Sequence, residues 1–198
     1  MMKRFRQFLA CCTIAAVIFG CASSTPSRFY TLSTISAPVV ASQALYSVSV
    51  GPITVPAVVD RPQIVIRTGP NQVTINEFDR WASPLKDDIG RVVAENLSVV
   101  LGISQVSLFP QSTAVGASYR VAIDIVHFDS DLGKSANLDA MWTVKSAKNE
   151  ILRRGRTTLA EATRDAEFDA LIAAHSRALG RLSTDIARAI KEIEAKKP

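Results

Sequence analysis

Three cysteines stand in this 198-residue sequence, at positions 11, 12 and 21, and only the setting of the third points to defined chemistry. Cys21 closes the stretch Val17-Ile18-Phe19-Gly20-Cys21. An aliphatic side chain three places before the cut, a glycine directly before it and a cysteine directly after it match a bacterial lipobox. That motif directs transfer of a diacylglyceryl group to the thiol, then cleavage on its amino side. Phe19 is bulkier than the small residues usual at its position. Upstream, Lys3, Arg4 and Arg6 precede an apolar run from Phe8 to Phe19, the basic and apolar regions of a secretory signal peptide. The run falls short of the roughly 20 residues that a spanning helix needs. The expectation is a signal peptide over residues 1–20, a lipid-bearing Cys21 carrying acyl chains such as palmitate, and a short tether over 21–28. An ordinary signal peptide cut before a cysteine is the alternative.

The other candidates for chemistry are weaker. Gly133-Lys134-Ser135 ends like a phosphate-binding loop, but that motif needs a glycine where Phe128 stands. Asp129, Asp131 and Asp139 hint at calcium, yet the sixth position of an EF-hand loop, a required glycine, is Lys134 here. An acidic, solvated hairpin loop is the reading preferred. His127 and His175 read first as packing residues and second as a ligand or base. Asp87 and Asp88 are adjacent on a helix and point apart, which makes a poor acid–base pair. Neither a Gly-x-Ser-x-Gly elbow nor a His-Glu-x-x-His motif occurs. The sequence argues against an enzyme, and it offers no catalytic residue, metal site or cofactor.

Removing residues 1–20 leaves 178, enough for one domain with a sizeable core. The net charge of +5 includes Lys3, Arg4 and Arg6 and is +2 without those three, so no nucleic-acid partner is inferred. Past Cys21 no cysteine remains, and with it no disulfide and no thiolate zinc site.

The elements follow from periodicity. Phe29 to Ser33 and Tyr46 to Val50 alternate as strands, with Ile53 to Val55 resuming after Gly51-Pro52. Gln63 to Glu77 reads as a hairpin turning at Thr68-Gly69-Pro70-Asn71. A helix follows with Ser83 as N-cap, Pro84 at its first position, Asp87 and Asp88 in its first turn and Gly102 as its stop. Gln105 to Phe109 is a short strand. Tyr119 to Phe128, Leu138 to Lys145, and Ile151-Leu152 with Arg156 to Leu159 form an antiparallel meander, with Asp129 to Asn137 as a loop. From Glu167 a long helix carries Phe168, Ile172, His175, Leu179, Leu182, Ile186, Ala189 and Ile193 on one seam. The fold class expected is α+β: a single two-layer domain over 29–198, mainly antiparallel sheet packed by two long helices.

One set of residues carries family information. Arg61-Pro62-Gln63-Ile64-Val65-Ile66-Arg67, Glu77-Phe78-Asp79-Arg80-Trp81-Ala82-Ser83-Pro84-Leu85 and Ile89 to Leu101 follow Phe29-Tyr30-Thr31-Leu32 and Val50-Gly51-Pro52 to Val55-Pro56 in order. Together they resemble the PqiC/YmbA lipoproteins, auxiliary components of ABC-type transport systems with MCE proteins. The resemblance implies a Gram-negative outer-membrane lipoprotein facing the periplasm. Its partner would be a periplasmic MCE-domain protein and, through that protein, an inner-membrane permease and ATPase. It also implies lipid transport between the membranes and ring-like homo-oligomers. Ala22 fits the outer membrane, since it is not the Asp that retains lipoproteins at the inner membrane in enteric bacteria.

For partner contact the candidates are Arg61, Arg67, Arg80 and Trp81, with Leu182, Ile186 and Ile193 on the second half of the long helix. The arginines and Trp81 read equally as support for the junction between hairpin and helix. At about 42 Å the long helix would outrun a typical strand of ~17–20 Å, leaving Leu182 to Ile193 overhanging. A stand-alone envelope scaffold and a lipid-anchored periplasmic enzyme are the competing functions.

Overall fold

The computed structural model describes residues 25–34, 46–111 and 114–197. The signal peptide, Cys21 and most of the Thr34–Ala44 loop lie outside the described residues.

The longest alternating run forms the middle of the larger sheet. In β6 (Tyr119–Asp131) the side chains of Tyr119, Val121, Ile123 and Ile125 are buried. A bulge between Ile125 and His127 inserts one residue, so the buried face resumes at Phe128 and Ser130. β7 (Ser135–Ser146) and β8 (Ile151–Ala162) continue the antiparallel meander. The expected loop from Asp129 to Asn137 is not one. The ladder runs on to the pair Asp131–Ser135, and a short turn with Gly133 at φ 73° closes it. Polar residues at inward positions hid this extension, Ser130 above all.

On its other side β6 runs parallel to β2 (Val48–Thr54), which is parallel in turn to β5 (Val106–Leu108), giving the order β5-β2-β6-β7-β8. A three-stranded sheet, ordered β1-β4-β3, pairs β1 (Arg28–Tyr30) parallel with β4 (Gln72–Trp81) and closes the hairpin of β4 with β3 (Gln63–Gly69). Hairpin and meander are antiparallel as expected; the three parallel pairings make both sheets mixed.

Two helices, α1 (Leu85–Leu101) and α2 (Phe168–Glu194), pack on each other and on the larger sheet, α1 over β2 and β5, α2 over β7 and β8. Among the described residues the fold is α+β, mainly sheet, with two helices. Ser83 is not the N-cap of α1. Pro84 takes that place with φ −52° and ψ 127°, and its carbonyl accepts the N–H groups of Asp87 and Asp88. Gly102, at φ 70°, ends the helix as expected. Lys191 Nζ donates to the Val100 carbonyl at 2.8 Å, placing a cation at the negative end of α1.

The second half of α2 does not overhang. Leu182, Ile186 and Ile190 have no exposed surface, and Ile193 is partly buried against the core. The reason is strand length. Strands β6 to β8 hold 12 or 13 residues, about 40 Å at ~3.3 Å per residue, which matches about 40 Å for a 27-residue helix. Leu182 and Ile186 are core residues of the monomer and offer no contact surface.

Candidate functional site

From Arg28, the last residue of the expected tether, the chain is fixed to the domain at four points: Arg28, Tyr30, Leu32 and Ser33. Asp79 is buried and accepts hydrogen bonds from Arg28 Nε at 2.7 Å and from the Tyr30 hydroxyl at 3.0 Å. Burial, then the bond to Asp79, pushes the Tyr30 hydroxyl up to about 12. Tyr30 and the Arg28 guanidinium both pack on the Phe168 ring, at 5.8 and 5.6 Å, where α2 begins. Two residues on, the Leu32 N–H donates to Asp88 Oδ2 at 2.7 Å and its carbonyl accepts from Arg91 Nη2 at 2.7 Å. Arg91 also grips the other oxygen of Asp88, at 2.6 and 3.0 Å. The Ser33 N–H then donates to Ser176 Oγ at 3.0 Å. A strand of only three residues would hold weakly by its ladder alone; two buried carboxylates and an aromatic ring make it part of the core.

Of the residues expected at the hairpin–helix junction, Trp81 is buried and tilted against Phe128 with ring centres 6.3 Å apart. Its backbone N–H donates to the Pro62 carbonyl at 2.7 Å, and the Ala82 N–H donates to the Tyr30 carbonyl at 2.9 Å. Trp81 therefore joins hairpin, β1 and helix start from the inside. Arg61 shares a groove of 380 Å³ with Trp81, Ser83 and Leu85. Arg80 is paired opposite Gln63 in the sheet and next to Phe29 of β1. The Nε atoms of Arg61 and Arg80 are enclosed without a protein acceptor. Arg67 stands apart, held by Asp129 at 3.1 Å and by the Pro70 carbonyl at 3.1 Å. The structure thus brings Arg61 and Trp81 together, turns Arg67 into a brace between β3 and β6, and buries Leu182 and Ile186. Ile193 lines a small surface hollow with Leu152 and Lys196.

Sequence reasoning missed Asp79 and Asp88. The sequence places Asp88 beside Asp87 in the first turn as a match to the helix dipole; in the structure Asp87 is exposed and Asp88 is buried. Its spacing gave a signal, because Asp88 lies three residues after Leu85 and four before Val92, on the apolar stripe. Asp139 is a parallel case. It is buried in β7 and held by Arg156 at 2.7 and 2.5 Å and Thr158 at 3.0 Å; the Arg156 hydrogen bond leads in lowering it to about 2. With Asp129 on Arg67 and Asp131 on Asn137 at 2.6 Å, the three acids considered for calcium each have another partner.

His175 is fully buried, stacked on Phe128 at 4.0 Å and 2.8 Å from Ser130 Oγ, and burial lowers it to about 3. It is a neutral core residue. His127, in contrast, is exposed beside Asp129 at 3.6 Å and does not pack. Among the described residues no three His, Cys, Asp or Glu side chains converge as a metal site, and no helix is long and apolar enough to cross a membrane.

The family model described as ABC-type transport auxiliary lipoprotein component matches residues 30–187. Among solved structures, a DUF330 protein from Xanthomonas campestris is 18% identical with a TM-score of 0.67, over 85% of this chain and 100% of that one. A second, an uncharacterized protein, is 16% identical with a TM-score of 0.70, over 84% of this chain and 99% of that one. At such identities the likeness is one of fold. No curated protein matches the chain. The family match begins at Tyr30, inside the clamped strand, and ends at Ala187 in α2; the chain belongs to the ABC-type transport auxiliary lipoprotein component family.

Proposed function

We propose that this chain is the lipid-anchored docking subunit of an ABC-type transport system, held by Cys21 at the periplasmic face of the outer membrane. It receives a periplasmic MCE-domain protein there and, through it, is coupled to the inner-membrane permease and ATPase. The system moves lipid between the membranes and supports envelope integrity; the chain contributes attachment and no catalysis. Residues 1–20 are the signal peptide, 21–28 the lipidated cysteine and tether, and 29–198 one periplasmic domain. The clamp on Arg28 to Ser33 is the observation that carries the reading. A protein whose task is to hold an assembly against a membrane must pass load from its anchor into its core. Here the last residue of the tether and those that follow it meet buried Asp79 and Asp88 within a few positions.

Arg61, Arg80 and Ile193 remain the candidates for partner contact, and a ring of copies is the assembly proposed. The test is recovery of an MCE-domain protein and a permease with the tagged chain from cross-linked envelopes, together with native mass for the ring. Recovery of neither, with the chain still in the outer membrane, would favour a stand-alone envelope scaffold.

A further inference from the structure

Strand β8 is an edge of the five-stranded sheet and runs for 12 residues, Ile-Leu-Arg-Arg-Gly-Arg-Thr-Thr-Leu-Ala-Glu-Ala. About half of the N–H and C=O groups of such an edge point away from the sheet and can pair with another strand. Its first half is built differently from its second. Ile151 is 47% and Leu152 39% exposed, and Arg153, Arg154 and Arg156 follow, all exposed. Beside them, between β8 and α2, lie two adjoining hollows of 330 and 220 Å³ that share Arg153, Ala189 and Glu192 as lining. Gly155 opens the first of these. The Trp142 indole lies where its side chain would be, 2.1 Å from an ideal Cβ, so only backbone stands at the edge there.

We propose that this edge and cleft receive an extended, acidic segment of a partner protein by strand addition. The charges select the partner. Arg153, Arg188 and Lys196 surround the cleft, where Glu192 and Asp185 pair at 3.4 and 3.2 Å with Arg153 and Arg188. Arg154 and Arg156 stand on the opposite face of the same edge strand. Arg154 has no carboxylate partner among the described ion pairs, and Lys196 likewise has none. Edge arginines also deter aggregation, but that role leaves unexplained the exposed Ile151 and Leu152 and the cleft beside them. A second copy is the competing occupant. Two β8 edges paired about Arg154 set arginine against arginine, which opposes pairing, whereas pairing about Thr157 sets Arg153 against Glu161. A chain that self-associates through β8, with a native mass that falls when Arg153→Glu and Arg154→Glu are combined, would overturn the proposal. The opposite edge, β5, has three residues and cannot match twelve.

The place fits the proposed function, on which this inference rests. The clamped segment meets α2 at Phe168 and Ser176, whereas the cleft lies around Ala189, about 30 Å along the helix from Phe168 at 1.5 Å per residue. The cleft is thus at the end remote from the tether.

The test uses the full-length lipoprotein in detergent and a fluorescent peptide alternating valine with glutamate. Two controls accompany it: the same peptide N-methylated at alternate positions, and a valine–lysine peptide. Saturable binding of the first is expected, weakened about tenfold or more by N-methylation and by the double variant Arg153→Glu, Arg154→Glu. Arg156 is left intact because it holds Asp139, and a melting curve confirms that the double variant is folded. Equal binding of the N-methylated or the lysine peptide, or no saturable binding of the first, would overturn strand addition at β8. In envelopes, co-purification of the MCE partner that survives the double variant overturns the β8 assignment and leaves the docking function standing. If the wild-type chain recovers no such partner, the docking function itself falls, whatever the peptides show.

Discussion

Asp88 accepts the backbone N–H of Leu32 at 2.7 Å across 56 positions of sequence, and both residues are buried. Through this bond the segment that leaves the tether is fixed to helix α1, with Arg91 closing the ring on the Leu32 carbonyl. Asp88→Ala strips a buried N–H of its acceptor, at about 1–3 kcal/mol. Arg91 is 40% exposed, so water takes over part of its lost pairing and the expected loss totals about 2–3 kcal/mol. Urea unfolding measures it, and limited proteolysis near Leu32 should become faster in the variant. Unchanged stability would mean that the clamp is decorative.

Trp81→Ala removes a buried indole from between Phe128 and the start of α1. The expected cost is about 3–5 kcal/mol, read as a lower melting temperature and urea midpoint. A variant with unaltered stability that loses its partner would place Trp81 on the docking face instead.

His175 contributes to the acid side of the stability profile at higher pH than Asp139, whose loss comes only as pH falls below the ordinary carboxylate range toward 2. The folded value of His175 lies at about 3 against an ordinary 6.5, so between those pH values the unfolded chain binds a proton that the folded chain does not. Stability is unaffected above pH 6.5 and falls as pH drops from there toward 3. His175→Gln should flatten the profile between pH 6 and about 4 relative to wild type, by up to about 1.4 kcal/mol for each pH unit. Parallel profiles would contradict a neutral, buried His175.

Much of this fold could be read from the residues, and the gaps have physical causes. Both helices show because a 3–4 spacing of apolar residues marks a buried stripe, and Gly102 marks the end of α1. Strand length was underestimated where polar side chains face inward. Ser130 is buried against His175, Thr157 bonds Asp185 and the Trp142 indole, and Asp139 bonds Arg156. Ser130 breaks the alternation and hides the end of β6, while Thr157 and Asp139 lie within strands already legible and are buried because their hydrogen bonds are satisfied. The expected overhang of Leu182 and Ile186 has a different cause: it sets the helix against a strand of typical length, whereas β6 to β8 are about twice as long. The parallel pairings of β2 and β1 join segments far apart in sequence and leave no local pattern. The clamp was hidden for a related reason: a carboxylate reads as a surface group until its partners are known.

Gly155→Ala tests the edge of the sheet without altering charge. A methyl group there meets Trp142 Cζ2 at 2.1 Å, so the indole must leave its place and its bond to Thr157. Overpacking of this kind costs about 1–3 kcal/mol, visible as a lower melting temperature and a changed tryptophan emission. An unshifted melting temperature and emission would mean that β8 and Trp142 are packed otherwise.

The central claim is that the chain joins a transport assembly to the membrane through Cys21. Its most direct test is quantitative recovery of the MCE-domain protein in the outer-membrane fraction, comparing the wild-type chain with Cys21→Ser. The account predicts that the wild-type chain sediments with the outer membrane and brings the MCE protein with it. The Cys21→Ser chain should be unprocessed or free in the periplasm, with the MCE protein lost from that fraction. Sedimentation of the variant with the outer membrane, or equal recovery of the MCE protein with both chains, would contradict it.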